Sequence, residues 1–404
     1  MKKWLAAGAF GFFSFLIVVG TVGPVFATTV SGRASTVLEW YDTSESKTAV
    51  PVYQYLMLNA RDIGGKGWNF YGYGRLSGDL TNEVDADSRL YTAYLQKTYV
   101  PQKFSVKLGR QFVSTTAGGT VLDGVDLNYG GFKVVNLRLL GGWNVVYDSD
   151  YKSGNYFFGG AISGSPVKNM EMELSYVQKW DDGDLAQELI GFDFDYDLPK
   201  IVHLYSETQY SLLYESTTYF LFGASTSWNK DWRARLEYLY SMPLFDSTNI
   251  YSVFAASEYQ EVMAQVDYLI NPKLRSYLRY TQEMYQEYSD ANVIDVGLET
   301  IGVDPLSWYV AGVYRNDEDG QDLYGFKIHT AYRFMPEVTA GVGADVDVLQ
   351  RRLEDNDETT SSRLWIDGQY DFSKTMQLQA KIERIESDLW NDYYRGRVRF
   401  NVLF

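Results

Sequence analysis

The charged residues of this 404-residue chain repeatedly stand at alternate positions. Arg395, Arg397 and Arg399 are separated by Gly396 and Val398, Arg233 and Arg235 bracket Ala234, and Arg275 and Arg279 share one face of an extended segment. Glu171 and Glu173 alternate with Met170, Met172 and Leu174, while Asp193, Asp195 and Asp197 alternate with Phe192, Phe194 and Tyr196. A column of like charge along one side of a strand attracts counter-ions, and rings of charge are how pores select among ions. Catalytic chemistry finds less support. The only imidazoles are His203 and His329, too few and too distant for a His-rich metal centre. With no Cys, the chain cannot hold a thiolate zinc site, an iron–sulfur cluster, a disulfide or covalently attached haem through its own residues. It contains no Gly-x-Ser-x-Gly, no His-Glu-x-x-His and no Walker-type loop. Asp355-Asn356-Asp357-Glu358-Thr359 only loosely matches a calcium loop and reads as a solvated connection. The expectation is a protein without catalytic residues, metal or cofactor.

Composition narrows the classes further. Lys and Arg number 36 against 52 Asp and Glu, a net charge of −16, so nothing here would neutralise a nucleic-acid backbone. Residues 1–27 differ from all that follows. Lys2 and Lys3 precede an apolar stretch over residues 5–20, and Val25-Phe26-Ala27 has the small-residue pattern of a cleavage site. That is the layout of a secretory signal peptide, with a retained membrane helix as the alternative. The mature chain is then residues 28–404, read as one domain.

Beyond residue 27 no apolar run approaches the roughly 18–20 residues of a membrane helix. Hydrophobic residues still make up 46% of the chain, diluted by alternation with polar ones. Residues 170–176, 190–198 and 338–348 all show this period of two, a strand signal. Strands of about 9–11 residues, tilted by about 45°, cross a bilayer core.

Six of the eight prolines beyond residue 27 sit in turn contexts: Pro101, Pro166, Pro199, Pro272, Pro305 and Pro336. Proline cannot donate to a ladder, so these mark breaks. Further breaks fall near 65, 131, 230 and 373. Between them lie longer polar stretches at 44–48, 79–87, 114–122, 148–153, 181–185, 243–257, 285–290, 316–321, 352–360 and 387–392. Short turns alternating with longer loops predict an all-β transmembrane antiparallel barrel of about 22 strands, within a range of about 18–22. Trp40, Trp68, Trp143, Trp180, Trp228, Trp232, Trp308, Trp365 and Trp390 are all expected near strand ends, as an aromatic girdle.

The chain closes on Tyr394, Val398, Phe400, Val402 and Phe404 along one face, with Arg395, Arg397, Arg399 and Asn401 along the other. That strand is expected to pair with one near residues 31–41 and so close the sheet. A terminal Phe on alternating apolar residues looks like the assembly signal of outer-membrane barrels. In pattern, the whole mature chain resembles porin-type bacterial outer-membrane barrels. Gly109-Arg110-Gln111 followed by Leu122-Asp123-Gly124-Val125 looks like a strand–loop–strand segment of bacterial porin-like proteins. Arg110 departs from it, since it shares a face with Leu108 and Phe112; a bulge or a snorkelling side chain would accommodate it. More loosely, the chain is similar to porin-like barrels of metal-respiring bacteria, which enclose multihaem cytochromes or are linked to selenite and tellurite handling.

The resemblance implies the outer membrane of a Gram-negative bacterium, with outer-membrane lipid and the barrel-assembly machinery as partners and small solutes or ions as permeants. Charge on the lipid face costs about 2–4 kcal/mol for Arg or Lys at mid-bilayer, so the charged columns are expected to line the lumen. The function expected is passive passage of small hydrophilic or ionic solutes, oxyanions among them. The alternatives are a scaffold around a periplasmic multihaem cytochrome and, far behind, an outer-membrane hydrolase. Residues 114–122 or 243–257 could narrow the passage by folding inward. His203, expected near the periplasmic end, is poorly placed for hydrolysis.

Overall fold

The computed structural model describes residues 28–43, 47–99, 103–147, 154–243, 258–302, 304–318, 322–350, 358–388 and 390–404. The expected signal peptide lies outside them. The first eight strands are β1 (Thr29–Asp42), β2 (Thr48–Ala49), β3 (Pro51–Ile63), β4 (Trp68–Asp79), β5 (Arg89–Tyr99), β6 (Phe104–Thr115), β7 (Gly118–Tyr129) and β8 (Val135–Asn144). Then come β9 (Tyr156–Gly164), β10 (Met170–Asp181), β11 (Asp184–Leu198), β12 (Val202–Ser211), β13 (Ser216–Ser227), β14 (Trp232–Ser241), β15 (Tyr259–Asn271) and β16 (Leu274–Tyr285). The last are β17 (Ala291–Thr300), β18 (Leu306–Asp317), β19 (Leu323–Met335), β20 (Val338–Gln350), β21 (Glu358–Ser373), β22 (Met376–Ser387) and β23 (Trp390–Leu403). No helix occurs among the described residues.

Each strand pairs antiparallel with its chain neighbour, and β1 pairs with β3 on one side and β23 on the other. The sheet is therefore closed. The two-residue β2 extends β3 across a break at Val50, so the wall holds 22 strands. Closure removes the edges that would otherwise template aggregation. At the seam, the Gly32 amide donates to the Phe404 carbonyl at 2.8 Å and the Phe404 amide returns the bond at 3.1 Å.

Alternation decides which way each residue points. Leu174, Tyr176, Ile190, Phe192, Leu278, Ile294 and Ile366 stay exposed on one face, an arrangement that water would penalise and hydrocarbon favours. Most charged strand residues occupy the opposite, inner face; Glu188 and Arg384, near strand ends, share the apolar one. Each of the ten short breaks placed from the sequence falls at a junction between two strands. The longer connections follow less closely. Residues 114–122 are not a loop: only Thr116 and Ala117 separate β6 from β7. Residues 181–185 reduce to a turn at Asp182 and Gly183. A further turn, residues 212–215, joins β12 to β13 and carries no Pro or Gly to announce it. Stretches 148–153 and 244–257, with most of 352–360, lie outside the described residues. Trp365 departs from the girdle: it sits mid-strand on β21, buried on the inner face.

Candidate functional site: a charged lumen with an inward arm

The β6–β7 hairpin leaves the wall partway up. Pairing of β5 with β6 stops at Ala93 opposite Arg110, and pairing of β7 with β8 stops at Leu122 opposite Asn144. The two strands remain paired to each other as far as Thr115 and Gly118. This free arm folds inward over β8 and β9 and lands on β10 and β11. Its inner residues Val113, Ala117 and Leu122 form a cluster with Leu140, Phe157, Val177 and Leu189 of the wall. Burying such side chains is worth about 1.5–3 kcal/mol each, enough to hold the arm down. Polar anchors fix its tip. The Ala117 amide donates to Ser175 Oγ at 2.9 Å, and the Thr116 amide and hydroxyl both donate to Glu173 Oε1 at 2.9 Å. Gly191 is required here, because a side chain at that position would run into the Ala117 backbone.

Arg110 stands where the arm departs. No register shift occurs between β5 and β6 or between β6 and β7 at this point, so the bulge that would turn it inward is absent. Its guanidinium instead forks onto Asp123, with bonds of 2.8 and 2.7 Å, and reaches the Leu90 carbonyl on β5 at 3.2 Å. Tyr147 also donates to the Leu90 and Tyr91 carbonyls. Carbonyls that lose β6 as a partner thereby gain side-chain donors in its place.

Beside the arm lies an acidic wall. Glu171 faces Asp195 and Glu173 faces Asp193 across β10–β11, and Asp193 faces Glu207 on β12. His203 faces Asp197 and contacts Asp195 at 3.2 Å, near the end that carries the short turns. None of these carboxylates pairs with Lys or Arg among the described residues. Like charges opposed across strands repel, so this wall holds a standing negative potential.

The basic residues behave differently. Arg279 pairs with Asp295 at 2.7 Å, Arg275 with Glu299, and Arg235 with Gln265 at 3.1 Å and Glu237 at 3.7 Å. Arg233 faces Asp267 in register. Arg395 is held by Glu383, which also binds Lys381 at 2.5 Å. Arg397 and Arg399 have no carboxylate partner among the described residues, and Arg399 Nε is buried without an acceptor. Arg333, Lys381 and Arg397 line a recess of about 470 Å³ on this side. His329 faces the same lumen, 2.8 Å from Asp367 and stacked on Trp365, which also carries Lys381 over its ring.

Alternation puts each charged column on one face of its strand but does not reveal most of its partners. Asp295, Glu299, Glu237 and Glu383 sit on neighbouring strands, and only register brings them opposite. Asp345, bridged by Arg363 at 2.6 Å and Lys327 at 3.5 Å, is another such case. Around the ring, β11 lies ten strands from β23 out of 22, so the acidic wall faces the unpaired arginines almost diametrically.

No protein-family model matches the chain, and no curated protein matches its sequence. Solved structures do match its shape. OpdQ of Pseudomonas aeruginosa shares 12% identity over 94% of this chain and 99% of its own, with a TM-score of 0.50. The translocation pore of the P pilus usher PapC shares 9% identity over 93% and 99%, with a TM-score of 0.55. At such identity the likeness shows the fold: a closed antiparallel barrel spanning almost the whole chain.

Proposed function

We propose that this chain is a channel in the outer membrane of a Gram-negative bacterium, delivered by a cleaved signal peptide, that passes small hydrophilic or ionic solutes without catalysis. The observation that carries this reading is the sorting of the wall: apolar side chains outside, charge inside, and an arm of β6 and β7 folded into the bore. The unpaired acidic wall concentrates cations on one side, while Arg397 and Arg399 attract anions on the other. Oxyanions are accommodated on the basic side, where Arg333, Lys381 and Arg397 share one recess.

Purified protein in planar bilayers tests this directly. Stepwise conductance in KCl is expected, with a reversal potential set by the acidic wall; absence of current would sink the reading. The second reading, a sheath around a periplasmic multihaem cytochrome, draws on the width of a 22-strand ring, because barrels of that size are commonly filled. The docked arm takes up part of that space and weighs against it.

A further inference from the structure

Lumen-facing tyrosines of β3, β4 and β5 form a continuous stair of rings. Tyr53 lies 6.2 Å from Tyr55, Tyr55 6.3 Å from Tyr73, and Tyr73 4.9 Å from Tyr91. Tyr91 continues to Tyr147 at 5.9 Å, and deeper in the bore Tyr71 stacks on Tyr94 at 5.1 Å. The rings of the stair on β3–β5 are each partly exposed, so they present faces to the bore as well as to one another.

Cations stand within the stair and along its β1 side. Arg75 lies over the Tyr53 ring at 5.1 Å. In register, Arg399 and Val37 share a row with Tyr53, while Arg33 shares the next but one with Met57 and Tyr73. Arg33 and Arg399 both act electrostatically on the Tyr73 hydroxyl, and neither has a carboxylate partner among the described residues. A guanidinium without its own acid offers a planar fork to an incoming carboxylate or sulfonate. The neighbouring rings offer stacking, worth about 0.5–1.5 kcal/mol per contact.

We infer that this arc, from β23 through β5, is a binding lane for planar aromatic anions, aromatic carboxylates and sulfonates, which slide along the tyrosine faces while the arginines hold the acid group. This rests on the channel reading for its role in transport, though not for binding itself. Several weak sites in sequence suit passage, because a permeant must be able to leave each one.

Benzoate and cyclohexanecarboxylate provide the test, since they carry the same charge at nearly the same size. Cyclohexanecarboxylate is the more hydrophobic, so sorption to the lipid-facing surface favours it. Saturation-transfer NMR on the full protein in detergent is expected to give benzoate an affinity about three- to tenfold higher. Block of KCl current is expected to show the same order. The Tyr55→Leu/Tyr73→Leu variant should bring the two acids level, Tyr55→Phe/Tyr73→Phe should keep the preference, and Arg33→Gln/Arg399→Gln should weaken both acids alike. Should the double leucine variant misfold, Tyr91→Leu at the end of the stair must lower the preference in part. Equal binding by the native protein, or a preference surviving the leucines, overturns the lane. A preference by NMR with no current in KCl keeps the lane and removes the channel; current without preference does the reverse.

Discussion

The arc of β10–β12 and the arc of β14–β23 both carry dense charge, yet they hold it in opposite ways. On the first, carboxylate faces carboxylate in register, and no Lys or Arg closes the account among the described residues. On the second, most arginines meet an acid on the next strand, as Arg279 meets Asp295 and Arg395 meets Glu383. A row of arginines in sequence therefore says little about net field, whereas a row of acids facing a second row of acids says a great deal. The field of the bore comes from charges that remain uncancelled, among them Glu171, Glu173, Asp193, Asp195, Asp197 and Glu207 on one side and Arg33, Arg397 and Arg399 on the other.

The strongest way to break this contrast is to silence the acidic wall. Changing Glu171 and Glu173 to Gln, and Asp193, Asp195 and Asp197 to Asn, should lower the cation-to-anion permeability ratio by on the order of tenfold, read from the reversal potential in a KCl gradient. An unchanged potential would remove the wall from the selectivity path. Next in size is the arm. Gly191→Val should displace Ala117 and raise single-channel conductance, and Leu122→Ala should cost about 2–5 kcal/mol of local packing and loosen it too. Conductance equal to the native channel in both variants would show that the arm does not narrow the bore. Smaller again, Arg397→Gln/Arg399→Gln should move the potential toward cations, measured under the same gradient. Smallest of all is the matched pair Arg279→Gln/Asp295→Asn, which cancels its own charge change and should leave the potential where it was. A clear shift there would mean that paired residues contribute to the field after all.

Much of this architecture was legible in the residues themselves. Six prolines located most of the short turns, because a residue without an amide hydrogen cannot donate to a ladder, and Gly64-Gly65, Gly130-Gly131, Asn229-Lys230 and Ser373-Lys374 located the others. Alternation around Glu171–Tyr176 and Asp193–Asp197 fixed which side chains share the inner face. The turn at residues 212–215 escaped notice because Leu-Leu-Tyr-Glu reads like strand. An inward fold at residues 114–122 was among the expectations, but as a loop; that it is a pair of strands escaped notice because Val113, Thr115 and Leu122 alternate as wall residues do, and a strand folded inward keeps its period of two. A signal did exist, since Leu140, Phe157, Val177 and Leu189 are apolar on the face that elsewhere is hydrated. Trp365 was misplaced because ring type alone does not reveal that Lys381 and Arg363 sit over it from inside. Ion pairing was beyond reach altogether, for it depends on register between strands.

The seam between β1 and β23 bears on how the molecule is made. The first strand borders β3 from the outset, but its other flank waits for a segment some 360 positions later in the chain. Until that partner arrives the sheet is a ribbon with two bare margins, each able to recruit a foreign strand. Contacts so distant form slowly, so closing the ring is the slow step in building the sheet, and both margins stay open until it is taken.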